Sequence, residues 1–265
     1  MKFRERLPIT LLFPLPPPPA RLMSNNTPNL GCTTCRNGHL CLSRGLNTRE
    51  AALVEDIAHR KIRVKRGESI FRSGDALDDI YAVKYGTFKL TLGTAEGREM
   101  IAAFYLSGDI FGTDGFESDT RTSTAIALED SEVCAISWNS LAELAQREGA
   151  IQQLVTQIFS ARIGRKQRLM LCIGSMRSEE RIAMFLLDLS ERLRERGFSN
   201  RHIILRMSRE EIAEHLAMTL ETVSRIFSLL AREGILRVDH REIQILDVQG
   251  LETVAQAGVQ KRPVL

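Results

Sequence analysis

Ser208-Arg-Glu-Glu-Ile-Ala-Glu-His-Leu-Ala-Met-Thr-Leu-Glu-Thr-Val-Ser-Arg-Ile-Phe-Ser-Leu-Leu230 reads as two short helices around a tight turn. Ser208 and Glu211 have the spacing of a capping box that opens the first helix. Ile212, Ala213 and Leu216 make its apolar side, and a break follows at Ala217-Met218. If Ala217 takes positive φ in that break, it costs about 1 kcal/mol relative to glycine. Thr219 caps a second helix whose apolar side is Val223, Ile226, Phe227 and Leu230. Two helices around such a turn, followed by Gly234, make a helix-turn-helix. Ile235 to Val238 and Ile243 to Leu246, joined through Asp239-His240-Arg241-Glu242, read as a β-hairpin wing beside it.

Glu221, Ser224 and Arg225 share the face of the second helix opposite its apolar side, near the N-terminal end. Recognition helices touch base edges with that end. Arginine bonds guanine O6 and N7, glutamate accepts from cytosine N4, and serine serves either way. Thr219, Thr222 and Arg209 flank these three and complete the candidate DNA contacts. A polar helix face of the same make also occurs in proteins that bind no DNA.

Upstream, Ser178 to Arg196 is a helix that starts on acidic residues and stops at Gly197, and Ile203 to Leu205 is a short strand. From Ser140 to Gly174 the period is helical throughout, with Ile151, Leu154, Val155, Ile158, Leu169 and Ile173 on one face. A helix this long needs a partner for that stripe, so a parallel coiled-coil homodimer is expected. Arg162, Arg165, Lys166 and Arg168 form either a solvated basic face or a set of charges facing their symmetry mates. Before the helix, short β-type runs recur between glycines: Ile62–Val64, Ser69–Phe71, Ile80–Lys84, Thr87–Leu92, Met100–Tyr105, Ile110–Phe111, Ser123–Ala127 and Val133–Ile136. Short strands with turns at this spacing predict an antiparallel jelly roll. Leu46 to His59 reads as a short amphipathic helix capped by Asn47 or Thr48.

The chain has five cysteines, and three of them fall within Gly31-Cys32-Thr33-Thr34-Cys35-Arg36-Asn37-Gly38-His39-Leu40-Cys41. Cys134 lies on the last predicted strand, and Cys172 sits late in the long helix as a small buried hydrophobe. Three clustered thiolates and a remote one suit an iron–sulfur cluster or zinc. Structural zinc favours two tight pairs, which this spacing lacks. His39 lies inside the loop as a spare ligand, and the other histidines show no metal spacing. An odd cysteine number argues against a secreted disulfide framework and for a reducing cytoplasm.

The net charge of +3 permits a nucleic-acid partner without requiring one. No run approaches the ~20 apolar residues of a membrane span. The start, Met1 to Ala20, has the charge and apolar run of a signal peptide, but Pro16 to Pro19 break it, so a disordered tail is expected, with Met23 a possible true start. No Gly-rich phosphate loop follows a strand and no Ser/His/Asp arrangement is present, which argues against an enzyme such as an iron–sulfur oxidoreductase.

The order of cysteine cluster, β-roll, long helix and winged helix-turn-helix closely resembles the Crp/Fnr family of bacterial transcription regulators, in its oxygen-responsive Fnr branch. The resemblance runs from Cys32 to Leu251. It rests on the Cys-x2-Cys-x5-Cys loop with Cys134, on Arg66-Gly67-Glu68 through Phe71, Gly74 and Asp75, and on Glu221-Thr-Val-Ser-Arg225. It implies a [4Fe–4S] cluster on Cys32, Cys35, Cys41 and Cys134 that oxygen degrades. It further implies base reading by Glu221, Ser224 and Arg225 at palindromic operators with TTGAT-type half-sites, and contacts to RNA polymerase through loops such as Gly93 to Arg98. A thiol switch without a cluster is the nearest variant of this reading. Cyclic-AMP-binding relatives carry Gly-Glu-Leu and an Arg-Ser pair. Here Gly112-Thr113-Asp114 and Ser123-Thr124 stand instead, so no cyclic nucleotide is expected.

The expected class is α+β. A disordered tail covers 1–27, an iron–sulfur ligand loop 28–48, a β-roll of the cyclic-nucleotide-binding-like type 49–139, and a dimerisation helix 140–175. A winged helix-turn-helix covers 176–251 and a flexible tail 252–265.

Overall fold

The computed structural model describes residue 32 and residues 35–58, 60–93, 97 and 99–256. The expected N-terminal tail, with Met23, and most of the loop 93–98 lie outside them. Helix α1 (Thr48–Ile57) is opened by a capping box between Asn47 and Glu50. Strands β1 (Arg60–Val64), β2 (Ser69–Phe71), β3 (Asp79–Tyr85), β4 (Thr87–Gly93), β5 (Glu99–Leu106), β6 (Ile110–Phe111), β7 (Thr124–Ala127) and β8 (Ser131–Ser137) follow. Helices α2 (Trp138–Arg147), α3 (Gly149–Ser175) and α4 (Ser178–Glu195) lead to β9 (His202–Ile204). Then come α5 (Arg209–His215), α6 (Leu220–Arg232), β10 (Leu236–Asp239), β11 (Glu242–Ile245) and α7 (Val248–Gln256).

The eight early strands make two antiparallel sheets, ordered β1-β8-β3-β6 and β2-β7-β4-β5. Between them Phe71, Tyr81, Phe88, Tyr105 and Phe111 form one aromatic core with Val83, Val133 and Ala135. Side chains alternate along a strand. Tyr81, Val83, Val133 and Ala135 therefore point inward, and Ile80, Ala82, Cys134 and Ile136 point outward. That outer face is covered by Leu42, Val54 of α1, Leu141 of α2 and Ile151 of α3. Tight turns bring the strands together. At Gly86 (φ +97) a Cβ would stand 2.0 Å from Ser131 Oγ, so only glycine fits.

The predicted single helix from Ser140 to Gly174 is two helices, broken at Glu148, which adopts extended backbone (φ −120°, ψ 100°). Leu141 of α2 and Ile151 of α3 are buried in one core on either side of the break, and Arg49 of α1 pairs with the Glu148 carboxylate at 2.7 Å. The expected dimer stripe is corrected with it. Ile151 is 0% exposed and Leu154 is buried, both within their own chain, and Val155 and Ile158 pack on the same core. Leu169 packs on the second core beneath the C-terminal domain. The face left open on α3 is Thr156, Ser160, Ile163, Gln167, Met170 and Gly174. Ile163 is 56% exposed and Met170 73%. The basic residues do not all reach solvent either. Arg162 donates to Thr113 Oγ1 and to Tyr105 Oη, both at 2.6 Å, and Arg165 approaches Asp109 at 3.7 Å.

The C-terminal domain packs α4, α5, α6 and α7 around Ile182, Leu186, Ile212, Val223, Ile226 and Leu251. A three-stranded sheet ordered β10-β11-β9 adds the wing. Of the flexible tail expected at 252–265, residues 252–256 belong instead to α7, which buries Ala255, and the rest lies outside the described residues. The domain docks on the β-roll of its own chain. Lys89 of β4 pairs with Glu211 of α5 at 3.0 Å, and His215 Nδ1 lies 2.9 Å from the Ile101 carbonyl of β5.

Candidate functional site

The cysteine loop is a chain of turns. Gly38 N–H donates to Cys35 O at 2.9 Å, and Cys41 N–H to Asn37 O at 3.1 Å. Asn37 Nδ2 donates to the Lys84 carbonyl at 2.6 Å, which ties the loop to the end of β3. Leu42, next to Cys41, is buried in the outer core and anchors the loop's exit. The loop thus lies on the sheet face onto which Cys134 points. Cys134 sits on β8 opposite Lys61 of β1 and Ala82 of β3.

The thiols are electrostatically coupled. Burial pushes Cys32 up to about 11, and the nearby Cys134 and Cys35 add to it. Burial also raises Cys41, with Cys32, Cys35 and Cys134 contributing, and Cys134, with Cys35 contributing. Lys61 and Lys84 pull Cys134 the other way. Among the described residues no three His, Cys, Asp or Glu side chains stand in metal-holding geometry. The donor set nonetheless suits a cluster, with four sulfurs in one neighbourhood and two lysines to offset thiolate charge. Cys172 is buried in the other core, away from this set. His39, the spare ligand candidate, has its Nε2 3.1 Å from the Glu195 carbonyl at the end of α4.

The helix-turn-helix is built as its caps dictate. Ser208 Oγ accepts from Glu211 N–H at 3.0 Å while the Glu211 carboxylate accepts from Ser208 N–H at 2.7 Å. Ala217 has φ +51° in the turn. Thr219 Oγ1 accepts from Thr222 N–H at 3.2 Å and caps α6. Val223, Ile226, Phe227 and Leu230 face the core, and Glu221, Ser224 and Arg225 are exposed together on the far side. Hydrogen bonds from its own backbone N–H and from Thr219 hold the Glu221 carboxyl below its ordinary value. Arg209 stacks on the Phe227 ring, 3.5 Å from its centroid, and donates to the His240 carbonyl in the wing turn. It joins α5, α6 and the wing.

The β-roll cavity holds an arginine the sequence reading overlooked. Arg121, two residues before Ser123, donates to the Gly112 carbonyl at 2.5 Å and to the Asp79 carbonyl, and it lies over Phe71. Asp114 beside it accepts from Ser123 Oγ at 2.7 Å and from Thr122 N–H at 3.0 Å. Arg181 was also missed. Its guanidinium donates to the carbonyls of Ile173 and Met176 at the end of α3 and to Leu216 in the helix-turn-helix turn. In sequence it is one more arginine on a charged helix, and only the fold brings those carbonyls together.

Comparison with known proteins agrees with this layout. Residues 61–148 match the cyclic nucleotide-binding domain family, and residues 180–254 match the Crp-like helix-turn-helix domain family. The chain is 39% identical over 221 residues to the transcriptional regulatory protein Btr of Bordetella pertussis, covering 83% of this chain and 91% of the relative. It is 35% identical over 244 residues to the fumarate and nitrate reduction regulatory protein of Vibrio cholerae, covering 92% and 97%. Among solved structures it resembles FixK2 from Bradyrhizobium japonicum, with a TM-score of 0.68, 28% identity, and coverage of 74% and 96%.

Proposed function

The chain belongs to the Crp/Fnr family of transcription regulators, and from that premise we propose that it is an oxygen-responsive regulator whose signal enters at Cys32, Cys35, Cys41 and Cys134. That it is a DNA-binding regulator rather than an enzyme follows from the family. The finer reading is a cytoplasmic homodimer that binds palindromic operators with TTGAT-type half-sites. It activates or represses genes under anaerobic conditions together with RNA polymerase.

One observation carries this reading. Cys32 and Cys41 of the loop and Cys134, far apart in sequence, pack against one apolar cluster on the outer face of the sheet. The four would hold a [4Fe–4S] cluster, which supplies an oxygen-labile centre. Four sulfurs gathered on one sheet face beside two lysines support that over a bare thiol switch. Asn37 and Leu42 orient the loop on the sheet, and Lys61 and Lys84 lend positive charge beside Cys134. No helix among the described residues is long and apolar enough to cross a membrane.

At the other end, Glu221, Ser224 and Arg225 present one donor and acceptor face for base edges, with Thr219 and Thr222 at the same helix end. Arg209 supports that face from behind. A parallel dimer along Ile163 and Met170 would place two such faces one DNA turn apart, as a palindrome requires. In the β-roll, the commitment of Arg121 to backbone carbonyls and the acidic Asp114 support a cavity that takes no cyclic nucleotide.

The test is iron, zinc and sulfide analysis of protein purified without oxygen, with operator binding before and after air. About four irons and four sulfides per chain are expected, bleached by air along with operator affinity. Zinc alone, or equal binding by both forms, would defeat the oxygen reading and leave the DNA-binding half intact.

A further inference from the structure

Asp109, in the turn between β5 and β6, is buried and has three arginines around it. Arg192 of α4 pairs with Oδ2 at 2.6 Å, Arg196 just past α4 pairs with Oδ1 at 2.8 Å, and Arg165 of α3 lies 3.7 Å from Oδ1. Oδ2 also accepts from Leu106 N–H at 2.8 Å. The same arginines grip the turn's backbone. Arg192 donates to the Phe104 carbonyl at 2.8 Å and Arg196 to the Ser107 carbonyl at 2.7 Å. One β-roll carboxylate thereby meets both the long helix and the first helix of the DNA-binding domain.

The other side of this turn faces the cysteine loop. A Cβ on Gly108 would stand 2.7 Å from Leu40 Cβ, so Leu40 sits directly on the turn, one residue before Cys41. Gly108 N–H donates to the Val83 carbonyl and Val83 N–H to the Asp109 carbonyl, while the next residue, Lys84, accepts from Asn37. His39 Nε2 lies 3.1 Å from the carbonyl of Glu195, the residue before Arg196. The loop therefore touches the turn and the arginine-bearing end of α4 at once.

We propose that Asp109 is a positioning residue that transmits the state of the cysteine loop to the DNA-binding domain. Leu40 and His39 press on one side of a clamp whose other side is Arg192, Arg196 and Arg165. With the loop in place, the clamp holds α4 at one angle to the β-roll. When the loop withdraws, Gly108 loses its cover, the Asp109 turn shifts, and α4 is released. Buried ion pairs suit this role because they have few acceptable geometries, and a small shift leaves charges unpaired. The inference rests on the reading that the loop's order depends on an oxygen-labile group, and its test separates the two.

The experiment compares wild type with Asp109→Asn and Leu40→Ala, prepared without oxygen and then exposed to air. Iron, sulfide and visible spectra report the loop, operator affinity reports output, and hydrogen exchange over residues 192–197 reports the clamp. In wild type, air is expected to speed that exchange roughly 10-fold, the scale of ordinary coupling between sites. Asp109→Asn is expected to keep wild-type iron and sulfide, and both variants are expected to show fast exchange and weak operator binding with or without air. If both load iron and still switch with the wild-type ratio, the clamp does not transmit and the proposal fails. Should Asp109→Asn not fold, Leu40→Ala decides alone, since it alters only a surface loop. If wild type binds no iron, the oxygen reading fails separately. Unchanged exchange in Leu40→Ala would then overturn the clamp, and faster exchange would uphold it.

Discussion

Ala217 shows how much one backbone angle settles. Its φ of +51° is what the turn between α5 and α6 demands, and alanine tolerates it poorly. Ala217→Gly is expected to stabilise the protein by about 1 kcal/mol, read as a higher urea midpoint at unchanged slope. Arg225 is exposed at the front of α6 with no structural duty. Arg225→Ala is expected to leave the urea midpoint unmoved. It should cost about 1–3 kcal/mol of operator binding and relax preference at one base pair of each half-site, as competition with single-base operator variants would show. A uniform loss across all variants would mean that Arg225 touches phosphate instead. Arg209 belongs to another class. Its guanidinium is stacked on Phe227, so its loss is expected to lower stability together with binding.

At the scale of elements, the sequence was most informative where local rules act alone. The strand runs between glycines fall within two residues of the observed strands, because positive-φ turns such as Gly86 and Gly108 can be read locally. The capping boxes at Asn47 and Ser208 mark α1 and α5 for the same reason. The long helix misled because its period continues through Glu148, and the core of Val54, Leu141 and Ile151 on which α2 and α3 pack is assembled only by the fold. Once α2 folds back, Ile151 and Leu154 belong to the outer core, and the apolar stripe is used within the chain. What remains on α3 is a seam of alternating three- and four-residue steps from Thr156 to Gly174. Ile163→Glu removes one aliphatic contact per chain from that seam, worth about 3 kcal/mol in total. That is roughly 100-fold in dimer dissociation constant, measurable by analytical ultracentrifugation. An unchanged constant would place the dimer elsewhere.

Over the whole molecule, the two domains share an apolar core, in which Ile101, Phe104 and Leu106 of β5 join Leu186, Ile212 and Leu216, and polar pairs surround it. Lys89–Glu211, Arg206–Glu129 and the Asp109 cluster span the junction, and none was visible as a pair in the sequence. Charged residues look solvent-facing until the fold shows what they meet. His215 is a buried titratable group at the same junction. It lies between Phe104 and Phe185 with Nδ1 on the Ile101 carbonyl, and burial lowers its value despite Asp188 nearby. Neutral when docked, the ring prefers a proton when freed. Docking is therefore fully stable above about pH 6.5, the ordinary histidine value, and weakens as pH falls toward 5. Asp109 acts in the same direction at lower pH. Its carboxyl is held below the ordinary range, so its stabilisation persists until the solution falls below about pH 4. His215→Gln is expected to flatten the pH 5–7 slope of thermal stability, and an unaltered slope would assign it to another group.

Cys134 lies on β8, a strand hydrogen-bonded along both edges, to β1 and β3. Pairing on both edges holds that strand in place, so under the proposed function any rearrangement among the four sulfurs falls to the Cys32–Cys41 loop rather than to the strand. Closing a flexible segment of this length takes about 10–100 ns. Were the four cysteines to hold the proposed cluster, recovery after its loss would be paced by the arrival of iron and sulfide rather than by refolding of the sheet.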